Sequence, residues 1–293
     1  GFYYWGPKDF VKHEIEDDEM DSKTKRGRKK KDGKKKGKLA VKDKVGRRNT
    51  GTLINFKPNP SYFDSSKFSV SRLKHLLRAK AVLCPGLKVV FVDETASNAA
   101  EKQFDWYFEH GLEDYIGAEL EGLELLPEVP FIGSMEGQEE AVDWAVQWQA
   151  ESGDLISESY VNLIPTTQGG THVNGLRAGL LGALREFCEF RNLVPRGIKI
   201  TAEDIWEKCN YVLSAKMVEP QFAGQAKERL NSRQAVTFIS GVVKDSFSLW
   251  LNQHISDGEA IAELAISSAQ TRLRAGKKVA RKKPASGPAL PGK

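Results

Sequence analysis

Two short segments hold the residues best placed to do chemistry. In Pro220-Gln221-Phe222-Ala223-Gly224-Gln225-Ala226-Lys227 a glycine-bearing loop between an expected strand and an expected helix presents Gln225 and Lys227. A lysine at such a loop can meet a phosphate oxygen as a point charge, and the glutamine adds a neutral donor. On pattern alone, a solvated connection accounts for the same residues. In Gln168-Gly169-Gly170-Thr171-His172 two glycines let the backbone turn sharply, and Thr171 can cap the helix that follows. His172 there reads as a hydrogen-bonded packing residue and not as a catalyst.

A third feature is charge. Residues 23–38 carry eleven lysines and arginines, from Lys23 to Lys38, against the carboxylate of Asp32. The chain's net charge is +5, so that segment's surplus of ten leaves the remainder at −5. With Gly27, Gly33 and Gly37 and no apolar residue, the run is expected to be extended by self-repulsion. It reads as a sequence-independent phosphate-binding arm or as a solvated insertion tip, and nothing in it could stack on or read bases.

Elsewhere the chemistry is sparse. No hydrolase triad, zinc spacing or Walker-type phosphate loop occurs. The five histidines, His13, His75, His110, His172 and His254, include no pair at i, i+4. Cys84, Cys188 and Cys209 are too far apart for a metal or redox motif and read as reduced thiols, with Cys188 on the apolar side of a helix.

The elements that must position these residues follow from periodicity. Thr50 to Phe56 is an expected strand, closed by Pro58 and Pro60. Ser69 to Leu83 has helical spacing, Leu87 to Val92 is strand-like, and Gly111 to Leu120 is a short helix. Pro127 and Pro130 suggest a domain boundary. Beyond them Phe131–Met135, Ala141–Trp148 and Leu155–Ile164 read as strands, and His172–Leu193 as a long helix. Thr201 caps a short helix running through Cys209, and Asn210–Val218 is a strand with Tyr211, Leu213, Ala215 and Met217 on one side. A helix from near Asn231, whose offset to Gln234 suggests a capping box, buries Val236, Ile239, Val243, Phe247 and Trp250. A last helix runs from Asp257 to about Lys283 with a cationic end, and 284–293 is a Pro/Gly linker. Strand, helix and returning strand over 130–230 imply a right-handed βαβ crossover. The fold class is therefore α/β, or α+β.

At 293 residues two domains are the natural expectation, and 40% hydrophobic with 28% charged residues is the balance of an ordinary globular protein. No apolar run approaches the roughly 18–20 residues that span a bilayer. Gly1-Phe2-Tyr3-Tyr4-Trp5 is neither a methionine start nor a signal peptide, so the chain is expected to begin inside a longer, cytoplasmic gene product.

A family comes into view in Tyr160-Val161-Asn162-Leu163-Ile164-Pro165-Thr166-Thr167-Gln168-Gly169-Gly170-Thr171-His172-Val173-Asn174-Gly175-Leu176-Arg177. This stretch closely resembles the transducer signature in the B subunits of bacterial type IIA DNA topoisomerases, DNA gyrase and topoisomerase IV. The Pro220–Lys227 loop resembles that family's glutamine–lysine switch loop. Pro288-Ala289-Leu290-Pro291-Gly292-Lys293 resembles the linker entering its TOPRIM domain. The resemblance runs from about Gly46 to Lys293. Leu163-Ile164-Pro165, Val173-Asn174-Gly175-Leu176 and Arg185–Asn192 lean toward the topoisomerase IV branch.

The resemblance implies the C-terminal part of a GHKL-type ATPase domain over 1–128, carrying the Lys/Arg-rich insertion. It further implies a transducer over 129–283 with a ribosomal-protein-like crossover and a long C-terminal helix, and a linker over 284–293. It implies ATP binding through Thr52, Ile54, Gln225 and Lys227. Lys227 would meet the γ-phosphate, Thr52 would hold an adenine-side water and Ile54 would line the adenine pocket. Mg²⁺ would accompany the nucleotide, with its ligands outside this chain. The partners would be DNA, an A subunit in an A2B2 heterotetramer, and a second B subunit in an ATP-dependent dimer, with no membrane. The activity would be ATP-driven strand passage, giving decatenation and relaxation, or negative supercoiling on the gyrase alternative. The early asparagine–glutamate helix, the DxGxG strand and the glycine-rich lid of the family have no match here. The chain alone is therefore expected to be inactive, with no catalytic residue of its own. Ala226 stands where the family usually has threonine. A stand-alone nucleic-acid-binding module built on a basic arm is the reading from a different class.

Overall fold

The computed structural model describes residues 2–5, 11–15, 40–44, 50–55, 67–151 and 153–280. They divide into two compact units, Gly1–Val70 and Ser71–Lys293. The first holds strands β1 (Phe2–Trp5), β2 (Val11–Ile15), β3 (Ala40–Lys44) and β4 (Gly51–Ile54) in the order β3-β2-β1-β4. Each neighbouring pair is antiparallel, with Tyr4 opposite Thr52 and Phe2 opposite Ile54. The basic run 23–38 lies outside the described residues.

The second unit opens with α1 (Val70–Leu83), the hairpin of β5 (Val89–Val92) and β6 (Gln103–Trp106) around the short α2 (Ala99–Lys102), and α3 (Leu112–Glu119). Then come β7 (Leu125–Glu136), β8 (Glu140–Gln149), β9 (Ser157–Val161) and β10 (Ile164–Pro165). The long helix α4 (Thr171–Phe190), α5 (Ala202–Trp206), β11 (Cys209–Met217), α6 (Arg233–Gln253) and α7 (Ile255–Ala280) complete it. Five strands form one sheet in the order β10-β9-β11-β8-β7. β11 sits at its centre, antiparallel to β8 and parallel to β9. A parallel pair needs a crossover, and α4 supplies it.

The sheet is covered on both faces, which is why β11 is buried at every position except Lys216. Tyr211, Leu213, Ala215 and Met217 join the main core with α4, α6 and α7. Val212 points the other way, into a smaller cluster with Tyr115, Tyr160 and the Ala79 and Val82 of α1. The α6 stripe is Ala235, Ile239, Val243, Phe247 and Leu251, a strict i, i+4 row. Val236 and Trp250, expected on that stripe, are half-buried at its flanks.

Several elements differ from what the sequence suggests. Pro127 and Pro130 lie inside β7, so residues 128 and 129 fall within a strand. The register of β7 on β8 shifts between Leu126 and Phe131, and such an irregularity is where a strand tolerates prolines. The single strand expected over Leu155–Ile164 is a tight hairpin of β9 and β10, because Asn162 and Leu163 both adopt positive φ, 48° and 65°. α5 stops at Trp206, and Cys209 begins β11. α6 starts after Ser232, not through an Asn231–Gln234 box. The Ser232 hydroxyl instead accepts the Gln221 N–H at 2.9 Å, tying the preceding loop to the helix start.

α5 does carry the expected Thr201 cap, in a reciprocal box with Asp204. Asp204 also receives Arg272 of α7 at 2.9 and 2.8 Å. Burial raises the Asp204 carboxyl, and its bonds from Arg272 and Thr201 outweigh that and hold it below its ordinary value.

α4 and α6 approach closely at Gly175 and Gly179. A Cβ on Gly179 would stand 2.8 Å from the Val243 Cβ and 2.9 Å from the Ser240 carbonyl oxygen. Gly179→Ala is therefore expected to lower unfolding free energy by ~1–3 kcal/mol through overpacking. Gly241→Ala on α6, where nothing lies within 4 Å, should be neutral or stabilising by ~0.5–1 kcal/mol. Paired urea melts check this; equal stabilities for the two variants would remove the close approach as the reason for glycine at 179.

Candidate functional site

The glycine turn and the glutamine–lysine loop, read separately in the sequence, form one structure. Residues 228–231 run as an extended segment with partners on both sides. On one side the Gln168 N–H donates to the Glu228 carbonyl at 2.9 Å, the Leu230 N–H to the Gly169 carbonyl at 3.0 Å, and the Thr171 N–H to the Leu230 carbonyl at 3.1 Å. On the other side the Ala223 N–H donates to the Arg229 carbonyl at 3.0 Å and the Asn231 N–H to the Gln221 carbonyl at 2.7 Å. The Leu230 side chain is fully buried in the main core.

Gly170 is required by this pairing. Its φ is 135°, and a Cβ there would lie 2.3 Å from the Leu230 carbonyl oxygen and 2.5 Å from the Leu230 nitrogen. Gly170, and not Thr171, occupies the cap position of α4. Thr171 is the first helical residue, and no side chain caps the helix. The reason is geometric: Thr171 must offer its N–H to Leu230.

The loop's tip is a turn closed by the Lys227 N–H on the Gly224 carbonyl at 3.1 Å, with Lys227 itself at φ 58°. Gln225, Ala226 and Lys227 are exposed at the tip, and the Lys227 amine stands 5.9 Å from the centre of the Phe222 ring. The tip thus presents one cation and one amide side chain on a backbone anchored at its base. One further contact crosses between loop and turn: the Gln168 side-chain amide donates to the Glu228 carboxylate at 2.7 Å.

Thr52 and Ile54 belong to the first unit, on one face of β4. Both are exposed, Ile54 at 61%. Among the described residues no group of three His, Cys, Asp or Glu is arranged to hold a metal ion. No described helix is long and apolar enough to cross a membrane.

His172 sits beneath the turn, fully buried, with Nε2 3.0 Å from the Thr166 hydroxyl. The same hydroxyl lies 2.9 Å from the Ser159 carbonyl oxygen and 2.7 Å from the Ser159 hydroxyl. Cys188 and Cys209 are likewise buried. Burial pushes the Cys188 thiol up to about 11 and Cys209 upward as well, which keeps both protonated.

Sequence reasoning missed Leu230, Glu228 and the contact made by Gln168. The available signal was the second glycine: one glycine suffices for a turn, and two in succession invite a close backbone approach by another segment.

A mixed α/β fold with an anchored glutamine–lysine loop can be set beside known proteins. The DNA gyrase B family model matches residues 111–281. The chain is 63% identical over 261 residues to the B subunit of DNA topoisomerase 4 from Haemophilus influenzae, covering 89% of this chain and 41% of that protein. Against the Escherichia coli K12 protein of the same name the identity is 61%, with the same coverage. The topoisomerase IV ATP binding domain of Francisella tularensis, solved with a small-molecule inhibitor, superposes with a TM-score of 0.70 at 36% identity, covering 93% of this chain and 69% of that one. The 43K ATPase domain of Thermus thermophilus gyrase B, solved with an aminocoumarin, gives 0.68 at 30% identity, covering 83% and 64%. The chain belongs to the DNA gyrase B family, the B subunits of type II DNA topoisomerases. It spans about two-fifths of the length of the topoisomerase 4 proteins it matches.

The buried histidine makes a pH prediction. Burial lowers the His172 imidazole from its ordinary 6.5 to about 4. Because the folded value is the lower one, the unfolded chain takes up a proton in this range that the folded chain refuses. The contribution of neutral His172 is fully present above about pH 6.5 and is lost as the pH falls toward 4, by up to ~1.4 kcal/mol per pH unit. Urea melts at pH 7 and pH 5 should show a smaller loss for His172→Gln than for the parent. Equal losses would show that His172 does not carry the dependence.

Proposed function

We propose that the chain is the nucleotide-sensing and transmitting part of a topoisomerase IV B subunit, which couples ATP binding and hydrolysis to DNA strand passage. The observation that carries this reading is the attachment of the Gln225–Lys227 tip, through Leu230, to the start of α4 and through Ser232 to the start of α6. An exposed ammonium on such a base suits a terminal phosphate, since lysine binds phosphate as a point charge. When bound, ATP supplies the phosphate charge whose loss on hydrolysis changes what Lys227 meets. Lys227 then holds the γ-phosphate, and Gln225 beside it offers a neutral donor. Thr52 supports an adenine-side water and Ile54 lines the adenine pocket. Mg²⁺ would accompany the nucleotide, with its ligands outside this chain.

In domain terms, the reading assigns 1–128 to the C-terminal part of a GHKL-type ATPase domain and 129–283 to a transducer with a right-handed βαβ crossover, a division that falls inside β7. Residues 284–293 link toward a TOPRIM domain. The partners are DNA, the A subunit in an A2B2 assembly, and a second B subunit in an ATP-dependent dimer. The cytoplasm is the compartment that this reading requires. The names of the relatives at 61–63% identity support topoisomerase IV. The similarity at 30% identity to a gyrase B ATPase domain keeps gyrase as the alternative.

The test uses the full-length protein with its A subunit. Lys227→Ala is expected to reduce ATP turnover by roughly 10²-fold, as loss of a donor to a developing phosphate charge does in a water-poor site, while the thermal midpoint stays unchanged. Turnover equal to the parent's would overturn the sensor assignment. Decatenation without negative supercoiling is the expected activity, and supercoiling would assign the gyrase branch instead.

A further inference from the structure

The Gln168–Glu228 contact lies at the base of the loop, beside the two side chains proposed to meet the nucleotide. Glu228 directly follows Lys227, and Gln168 directly precedes the Gly169-Gly170 turn. The two residues are joined twice: main chain to main chain, Gln168 N–H to Glu228 carbonyl at 2.9 Å, and side chain to side chain at 2.7 Å. The main-chain bond fixes the separation of the two segments. The side-chain bond adds a second tie beside it, limiting how far Glu228, and with it the peptide to Lys227, can turn away from the glycine turn.

That peptide needs an outside restraint. Lys227 stands at φ 58°, a region a non-glycine residue occupies only at a cost. The turn bond from the Lys227 N–H to the Gly224 carbonyl holds it from the tip side. From the base side, the next restraints along the chain are the two bonds at Glu228. Without the side-chain bond, Glu228 keeps one bond to the turn and the lysine backbone has an easier route back to negative φ, which would swing the amine away from its present direction.

We propose that Gln168 is a positioning residue for Lys227: its amide, bonded to the Glu228 carboxylate, latches the sensor loop to the turn that starts α4. This rests on the sensor role proposed for Lys227. The latch also sets a polarity rule. The carboxylate accepts and an amide must donate, so a carboxylate at 168 would face Glu228 with like charge, whereas exchanging the two groups would restore a donor and an acceptor.

The experiment compares steady-state ATP hydrolysis and thermal midpoints of the full-length protein in the parent, Gln168→Glu, Glu228→Gln, the double exchange Gln168→Glu/Glu228→Gln, and Lys227→Ala. Both groups are exposed, so the effect is modest: Gln168→Glu should raise KM for ATP roughly three- to tenfold with the midpoint unchanged. The double exchange should bring KM back to within about twofold of the parent, which a merely structural effect of a mutation at 168 would not do. A parent-like KM in Gln168→Glu, with turnover lost in Lys227→Ala, overturns the latch and leaves the sensor standing. A KM raised equally in the single and double variants also overturns it. Unchanged turnover in Lys227→Ala overturns the sensor and the latch together.

Discussion

The arrangement of the second unit depends on how the backbone of Leu230 is satisfied. A buried residue must pair both its N–H and its carbonyl, and Leu230 gives both to the glycine turn, at Gly169 and Thr171. This is possible because Gly170 lets two backbones lie where a Cβ could not stand. Three things are then set at once. α4 must begin at Thr171, the loop must double back through Phe222 to face Leu230, and α6 must begin three residues beyond Leu230, behind Ser232.

What lies downstream of that pairing is stiff. α4 and α6 touch at Gly175 and Gly179, where backbone atoms of α6 occupy the space that side chains would fill, so the two helices cannot slide independently. Their apolar rows close over β11 and β8 around Trp144, Trp148, Phe131 and Phe247. Close-packed interiors transmit displacement and absorb little of it. α7 is pinned back to this body by the Arg272–Asp204 pair, in which a carboxylate 1% exposed meets a guanidinium through two bonds. The base of the loop, α4, α6 and α7 are therefore tied together as parts of one packed body.

Much of this was legible in the sequence because it depends on local periodicity. The rows on α4 and α6, the alternation along β11 and the Thr201–Asp204 box are each written in residues a few positions apart. The prolines of β7 were misleading because their tolerance comes from a register shift against β8, which no local pattern encodes. The β9–β10 hairpin was hidden for a similar reason. Its turn uses Asn162 and Leu163 at positive φ, and leucine is a poor advertisement for that conformation. The short α2 and β6 carried too few residues for a period to register. The site divides in the same way. Gln225 and Lys227 drew attention by type, but the role proposed for them rests on a family resemblance, and the side-chain contact at the base of their loop joins residues sixty positions apart.

That division also bears on Ala226, which stands where the resemblance leads one to expect threonine. A missing hydroxyl is costly where its partner stays buried and unpaired. Ala226 is exposed at the tip of a turn whose closing bond runs between the Gly224 carbonyl and the Lys227 N–H and involves no side chain. The loop is held at its base, by the bonds at Glu228, Leu230 and Ser232, none of which involves Ala226. Alanine is therefore accommodated without loss of the geometry that presents Lys227. Loop integrity rests on main-chain pairing with the glycine turn, and the tip is free to vary around the two side chains that face outward.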